Sequence, residues 1–307
     1  MRTESVSFFS EGVRLSGFLH RPDTTDRRSP FVVQGPGWLG LADAKLYAPY
    51  HEAFTAAGFT VLIFDYRGFG ASEGDRGTLS PIWQLQDWRN AIAYLRSRDD
   101  IDPDRGATFG SGGTGGGNAV LAAAAEPAVR ATISQVPVSD GRDWLRRMRG
   151  EDEWVAFVSE VEKDRRRRAA TGTGTMVHPR EGIMVETAER RASTVKADVD
   201  SRIPTAVPLA AAHEILEYRP IDAAPRVRGL MVVAVEDDAV TPTDHARALF
   251  DAAGTPKKLV LQSGTTHYAA YKQYAGVVIP MMVDWLRRLV LREGTVEESE
   301  RLERVPA

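Results

Sequence analysis

Residues 106–121 read GATFGSGGTGGGNAVL, a glycine-rich stretch between an apolar segment and a segment of helical composition. Small residues are required where a buried strand turns sharply into a buried helix, because a larger side chain would collide with one of the two. Enzymes that use such a turn carry the pattern G-x-S-x-G and hold a nucleophile at its centre. The central residue of this turn therefore decides what chemistry the chain can perform.

Three alignments of that pattern with the stretch remain open. A count without gaps from the lead-in at 101–105 places Gly112 at the centre, where no side chain is available. Thr114 has small neighbours and a hydroxyl, but it lengthens the approach to the turn, and its methyl group would crowd a tetrahedral centre. Ser111 offers a normal nucleophile but puts Phe109 where a small residue is needed.

A phosphate-binding loop is the alternative function of so many glycines. The lysine and the serine or threonine that end a P-loop do not follow them. The spacing Gly110-x-Gly112-x-x-Gly115 occurs too far along the chain for a dinucleotide-binding unit that opens a domain. We therefore expect a strand–helix corner without a cofactor, and we predict no metal site because no cluster of typical ligands is visible.

The composition fits one large α/β domain. The chain has 307 residues, of which 43% are hydrophobic, and its net charge of −3 comes from interspersed acidic and basic residues. This balance favours a small-molecule substrate over nucleic acid or a membrane surface. The sequence leaves a homodimer open as an assembly. The absence of cysteine excludes disulfides and a thiolate nucleophile. Because no secretion signal and no apolar stretch near the ~20 residues of a membrane span is visible, we expect a cytoplasmic protein.

Strand-like and helix-like segments alternate along most of the chain. Short apolar runs are followed by segments with apolar residues at helical spacing, such as the stripe from Ile82 to Leu95 after Ser80-Pro81. The predicted strands are 5–9, 15–20, 31–33, 60–64, 107–109, 129–136, 230–235 and 259–262, and the predicted helices are 45–57, 80–95, 118–125, 243–253 and 268–291. This order predicts an α/β fold with a mostly parallel eight-stranded sheet covered by helices on both faces.

Residues 140–220 interrupt this alternation. We predict that this insertion forms a helical cap over the carboxyl-terminal edge of the sheet, where α/β folds bind ligands. Its segments are a helix at 143–161, a basic run at 165–168 typical of a solvated helix face, and a Gly/Thr-rich joint at 171–175. Residues 1–139 and 221–292 then form the core, and the charged tail at 293–307 is predicted to be flexible.

An acid and a base follow the last two predicted strands. Asp238 comes between a strand and a helix, the usual position of an acid that orients an imidazole, and Asp237 is the alternative. His267 follows the last strand, so the chain order is nucleophile, acid, base. In such a triad the carboxylate fixes the histidine tautomer, and the imidazole takes a proton from the nucleophile.

The other site residues are predicted from loops at the same edge of the sheet. The loop from Gln34 to Leu39 has the composition of one that stabilises an oxyanion, with the backbone N–H groups of Trp38 and Gly113 as donors. A second group is expected to contact the substrate, and its members are Gly37, Trp144 and Tyr268. The tryptophans suggest a bulky apolar ligand.

Residues 65–74 read DYRGFGASEG and form the most specific motif of the chain. With the turn at 110–117, Asp238 and His267, this motif resembles the α/β-hydrolase superfamily. The resemblance is to its bacterial branch of dienelactone hydrolases, acetyl-xylan-esterase-like proteins and X-prolyl peptidases. It implies an α/β-hydrolase fold, a triad geometry and acyl or C–C bond chemistry, but it implies no particular substrate.

The resemblance covers residues 5–136 and 226–290, and it fails at Gly112, where such proteins carry serine. Three functions remain as hypotheses. The first is a hydrolase of an ester, lactone, amide or C–C bond that uses Ser111 or Thr114, or whose nucleophile has been exchanged for glycine. The second is a lyase, isomerase or cyclase in which His267 acts as a general acid and base without a covalent intermediate. The third is a binding protein on a catalytically dead scaffold.

Overall fold

A nine-stranded sheet forms the centre of the protein, which a computed structural model describes for residues 1–23, 28–192 and 200–306. Its strands are β1 (Arg2–Ser10), β2 (Val13–Arg21), β3 (Ser29–Gly35), β4 (Thr60–Phe64), β5 (Ile101–Ser111), β6 (Val129–Gln135), β9 (Leu230–Val235), β10 (Lys257–Gln262) and β11 (Ser299–Val305), while β7 (Met176–Val177) and β8 (Val207–Pro208) form a separate pair. The sheet order is β1-β2-β4-β3-β5-β6-β9-β10-β11. β2 runs in the opposite direction to the other eight strands of this sheet, which are parallel to one another. The predicted mostly parallel α/β sheet is confirmed.

Helices cover both faces of the sheet. They are α1 (Ala48–Ala56), α2 (Pro81–Arg96), α3 (Gly113–Ala125), α4 (Gly141–Arg147), α5 (Glu151–Thr171), α6 (Ala188–Ala192), α7 (Ala210–Leu216), α8 (Thr243–Ala252), α9 (Ala270–Gln273) and α10 (Ala275–Leu286). Neighbouring residues of a strand point to opposite faces, so Val33 joins one apolar cluster with α2, α3 and α8, and Val32 joins the other with α1 and α10. Among the described residues, none of the helices combines the length and apolarity needed to cross a bilayer.

The carboxyl-terminal segment differs from the predicted flexible tail. Residues 299–305 form β11, which pairs in parallel with β10 and adds a ninth strand to the eight that were expected. Leu302 and Val305, with two charged residues between them, pack against the apolar cluster of one face. The charge-rich composition concealed the strand, because an edge strand exposes most of its side chains to water.

Two predicted helical segments also differ from the structure. The helix expected at 143–161 is divided into α4 and α5, because Gly150 caps the start of α5, whose first turn is acidic. Ile82, expected on the buried stripe of α2, is 63% exposed, whereas Trp88, Ile92 and Leu95 are buried. Ile82 lies in the first turn beside buried Pro81 and Gln84, on the side of α2 that faces solvent.

Buried His51 and half-buried His20 lie beside each other at the edge of the parallel region. The rings of His20 on β2 and His51 on α1 stack at 4.4 Å between centroids, and His51 Nε2 donates to Gln34 Oε1 at 2.6 Å. Burial lowers the pKa of His51 to about 3, with a smaller effect of the neighbouring His20 charge. Burial also lowers the pKa of His20 to about 4. Both rings are therefore neutral in the folded protein near neutral pH.

Acid is expected to destabilise the fold through this pair. Between pH 6.5 and about 4 the unfolded chain binds protons at both histidines, whereas the folded chain excludes them, so stability falls as the pH falls. His51→Gln should remove about 2–4 kcal/mol of this loss, on the scale of 1.36 kcal/mol per pKa unit. Urea denaturation at pH 7 and pH 4.5 measures the difference, with exposed His178→Gln as the control. An identical pH dependence in wild type and His51→Gln would refute the assignment.

Candidate active site

The turn between β5 and α3 places Gly112 at its apex. β5 ends at Ser111 and α3 begins at Gly113, while Gly112 has φ +79°, a conformation that favours glycine. A Cβ atom at this position would meet only the Cα of Gly37, at 3.2 Å. The gap-free alignment thus describes the geometry, and the apex of the turn borders open space instead of a side chain.

The two hydroxyl residues near the apex are buried. Ser111 is 1% exposed, and its Oγ lies 2.7 Å from the hydroxyl oxygen of Tyr271. Thr114 lies in the first turn of α3, where its hydroxyl oxygen is shielded from solvent and has no hydrogen-bond partner among the described residues. Neither side chain stands at the apex, where a nucleophile is exposed in this type of turn.

Asp238 and His267 lie next to each other in the structure. The loop after β9 and the loop after β10 bring Asp238 Oδ2 within 2.8 Å of His267 Nδ1, and both side chains are buried. Burial alone would raise the pKa of Asp238, but the charge and hydrogen bond of His267 and the backbone N–H groups of Thr241 and Val240 lower it below its usual value. Asp238 is therefore ionised and can only accept, so Nδ1 carries the hydrogen and Nε2 is left as the basic nitrogen.

The surroundings of Asp238 hold it in place. Its Oδ1 accepts hydrogen bonds from the backbone of Val240 at 2.7 Å and of Thr241 at 3.0 Å, and its Oδ2 accepts one from the Thr241 hydroxyl at 3.1 Å. Asp237, the alternative acid, is instead exposed at a turn residue with φ +57°. The structure thus selects Asp238 over Asp237 as the partner of His267.

A second histidine–aspartate pair, between buried His245 and half-exposed Asp143, has a different role. His245 Nδ1 accepts from the backbone N–H of Ser139 at 3.1 Å, and Nε2 lies 2.8 Å from Asp143 Oδ2. Both ring nitrogens are therefore engaged, and the pair links α8 to the start of the insertion. His267 differs from His245 at its second ring nitrogen. Asp238 contacts Nδ1, and Nε2 has no hydrogen-bond partner among the described residues.

The loop after β3 lies against the turn. Gly37 approaches so closely that a Cβ there would lie 3.1 Å from the carbonyl oxygen of Ser111. Asp65, from the DYRGFGASEG motif, holds this loop by accepting a hydrogen bond from the Ala42 N–H at 2.7 Å. The Gly113 N–H is in the first turn of α3, where an amide has no intrahelical partner. The arrangement brings the predicted donor loop, including Trp38, next to Gly113.

One cavity of about 790 Å³ gathers the predicted residues. All but Asp238, which lies behind His267, line its wall: Gly37, Trp38, Ser111, Gly112, Gly113, Thr114, Trp144, His267 and Tyr268. Sequence reasoning missed Tyr47 and Tyr271, which also line it. Tyr271 could have been predicted from its position four residues after His267. No feature of the sequence indicated that Tyr47 lines the cavity. Burial raises the pKa of both phenols above the usual value, so both stay protonated.

Two polar contacts join the insertion to the loops of the site. Glu189 on α6 accepts a hydrogen bond from the backbone N–H of Tyr268 at 3.0 Å. Arg202 donates to Asp43, in the loop after β3, at 2.9 Å. The basic run at 165–168 lies on α5, where its arginines pair with acidic residues of the same helix, as expected of a solvated face.

The chain is similar to a known protein family and to individual proteins. A family model described as X-Pro dipeptidyl-peptidase (S15 family) matches residues 11–268. An uncharacterized 31.7 kDa protein of Escherichia coli is 28% identical over 285 residues, which cover 91% of this chain and 96% of that protein. The quorum-quenching protein AidA of Acinetobacter baumannii is 44% identical over 137 residues, 44% of each chain.

A solved structure has the same architecture. The alpha/beta hydrolase GrgF from Penicillium sp. sh18 superposes with a TM-score of 0.79 at 21% sequence identity, covering 95% of this chain and all of that one. At this identity the likeness shows the α/β-hydrolase fold alone. The fold implied by the DYRGFGASEG motif and the turn is confirmed.

Proposed function

Because the chain belongs to the X-Pro dipeptidyl-peptidase (S15) family, within the α/β-hydrolase superfamily, we propose that it hydrolyses an ester, lactone or amide by a His267-activated water molecule. No covalent intermediate with the enzyme forms in this reaction. The acid and base of the superfamily are kept in this reaction. A water molecule in the space beside Gly112 takes the place of the serine.

The observation that carries the proposal is the state of the hydroxyls around the turn. Gly112 has no side chain, the Ser111 hydroxyl is hydrogen-bonded to the Tyr271 hydroxyl, and the Thr114 hydroxyl is shielded from solvent. The sequence also contains no cysteine. The basic Nε2 of His267, in contrast, belongs to a residue that lines the cavity. A base without an enzyme nucleophile is suited to activating water.

The reaction follows from the charges and donors of the site. His267 Nε2 takes a proton from water as the water oxygen bonds to the substrate carbonyl carbon, and Asp238 stabilises the imidazolium that forms. The N–H groups of Trp38 and Gly113 donate to the carbonyl oxygen as it becomes negative. The imidazolium then protonates the leaving oxygen or nitrogen as its bond to carbon breaks. The products are a carboxylic acid and an alcohol or amine.

The insertion acts as the cap of this site in our proposal. Its Trp144, Arg180, Met184 and Ile203 line the cavity, and its contacts at Tyr268 and Asp43 lie on loops that carry site residues. Excluding bulk water with such a cap strengthens the electrostatic interactions inside and leaves the reacting water ordered.

Substitution of the two hydroxyls tests the proposal. Ser111→Ala and Thr114→Val should each keep kcat/KM within about tenfold of wild type, because neither oxygen forms a covalent bond. Hydrolysis of p-nitrophenyl esters with acyl chains of four to twelve carbons is the measurement. A loss of a hundredfold or more in one variant, with its thermal stability retained, would identify that residue as a nucleophile. Tight ligand binding without any hydrolysis would favour a binding protein instead.

A further inference from the structure

Two tryptophans line the cavity with carbon atoms of their rings. Trp144 is 2% exposed, and its indole N–H donates to the carbonyl oxygen of Val240 at 2.8 Å. The indole nitrogen of Trp38 is shielded from solvent. The two rings contact each other edge to face, with 5.6 Å between their centroids. Each tryptophan therefore lines the cavity with its apolar ring, while its polar atom is turned into the protein.

These rings stand beside the reacting position. A Cβ atom on Gly113 would lie 3.7 Å from the Trp144 ring, so this ring borders the turn. Leu39, Leu41, Met184 and Ile203 continue the apolar wall. The charged residues that line the cavity are exposed or half-exposed, and they are Asp43, Lys45 and Arg180.

We infer that the substrate is an acyl compound whose apolar acyl chain is longer than the four carbons of a butyryl ester. This inference rests on the proposed function for the position of the carbonyl, but the apolar wall exists independently of the reaction. A methylene group is about the size of a water molecule, whose share of liquid volume is roughly 30 Å³. A cavity of about 790 Å³ can therefore hold on the order of 25 such groups, far more than a short acetyl or butyryl ester.

Binding of straight-chain 2-alkanones with four to twelve carbons tests the inference without requiring catalysis. Each added methylene buries apolar surface, so the affinity should increase about three- to fourfold per carbon up to at least eight carbons. Titration calorimetry at several temperatures should show a heat-capacity change that becomes more negative along the series. An affinity that does not change beyond four carbons would overturn the inference.

Variants of the wall locate the chain. Ile203→Trp and Met184→Trp each place a larger ring at the cavity, so each should weaken the binding of the longer ketones of the series more than that of the four-carbon ketone. Val155→Trp on α5 is the matched control, because Val155 is 60% exposed and does not line the cavity. If both cavity variants fold and show the same profile as Val155→Trp, the chain does not occupy this wall, and the inference is wrong.

The two proposals can fail separately. Chain-dependent ketone binding together with no hydrolysis of the matching p-nitrophenyl esters would contradict the proposed reaction and keep the substrate class. Ester hydrolysis that does not depend on chain length, together with chain-independent ketone binding, would contradict the substrate class alone.

Discussion

His267→Ala is expected to lower kcat/KM for the best p-nitrophenyl ester by about a hundred- to ten-thousandfold, the range for loss of a general base. The imidazole is the group that accepts the proton of water, and Asp238 at 2.8 Å cannot replace it because its remaining oxygen already accepts two backbone hydrogen bonds. Asp238→Asn should cause a loss of similar order, since an amide at this position no longer fixes the imidazole with hydrogen on Nδ1.

His245→Gln provides the control for this prediction. His245 is also buried and paired with an aspartate, but both of its ring nitrogens are engaged in structural contacts. We expect a lower melting temperature for this variant and a kcat/KM within about tenfold of wild type. If His267→Ala kept more than a tenth of the wild-type activity, general-base catalysis by this residue would be excluded.

Gly112→Ser is expected to convert the site into one with a covalent nucleophile. The new Oγ would stand at the apex of the turn beside the cavity that His267 lines, so a fluorophosphonate should label it stoichiometrically. Wild type should not be labelled, and the double variant Gly112→Ser with His267→Ala should lose the labelling. Intact-protein mass spectrometry and peptide mapping measure both results.

The backbone conformation at Gly112 should make this substitution destabilise the fold. A side chain at φ +79°, with its Cβ 3.2 Å from the Cα of Gly37, should destabilise the fold by about 1–3 kcal/mol. Gly112→Ala is the matched control, because it has the same Cβ and no hydroxyl. It should lose the same stability, remain unlabelled and hydrolyse esters more slowly than wild type, since its methyl group fills the space of the attacking water. A Gly112→Ser protein that is as inert as Gly112→Ala would contradict the geometry assigned to the turn.

A count without gaps from Ile101 leads to Gly112 as the apex of the turn, but the sequence alone left Ser111 and Thr114 open as alternatives. The strand was expected only at 107–109, whereas β5 extends from Ile101 to Ser111 and ends directly before Gly112. Asp238 and His267 could be predicted because each follows directly on a strand of a parallel sheet, and the carboxyl ends of such strands share one edge.

The choice between Ser111 and Thr114 could not be made from the sequence. The Ser111 hydroxyl is engaged by Tyr271, which is 160 positions away along the chain, and the shielding of Thr114 depends on the packing of α3. The order in the carboxyl-terminal segment was missed for a related reason. β11 is stabilised by pairing with β10, and no local pattern of apolar residues predicts this exposed edge strand.

The most direct test of the account is the mass of the wild-type protein during turnover. Rapid acid quenching of a reaction with excess p-nitrophenyl octanoate, followed by intact-protein mass spectrometry, shows whether an acyl group is attached to the enzyme. Direct attack by water at Gly112 predicts the unmodified mass at every time point and no initial burst of p-nitrophenol. An octanoyl adduct that forms at the catalytic rate and maps to Ser111 or Thr114 would contradict it.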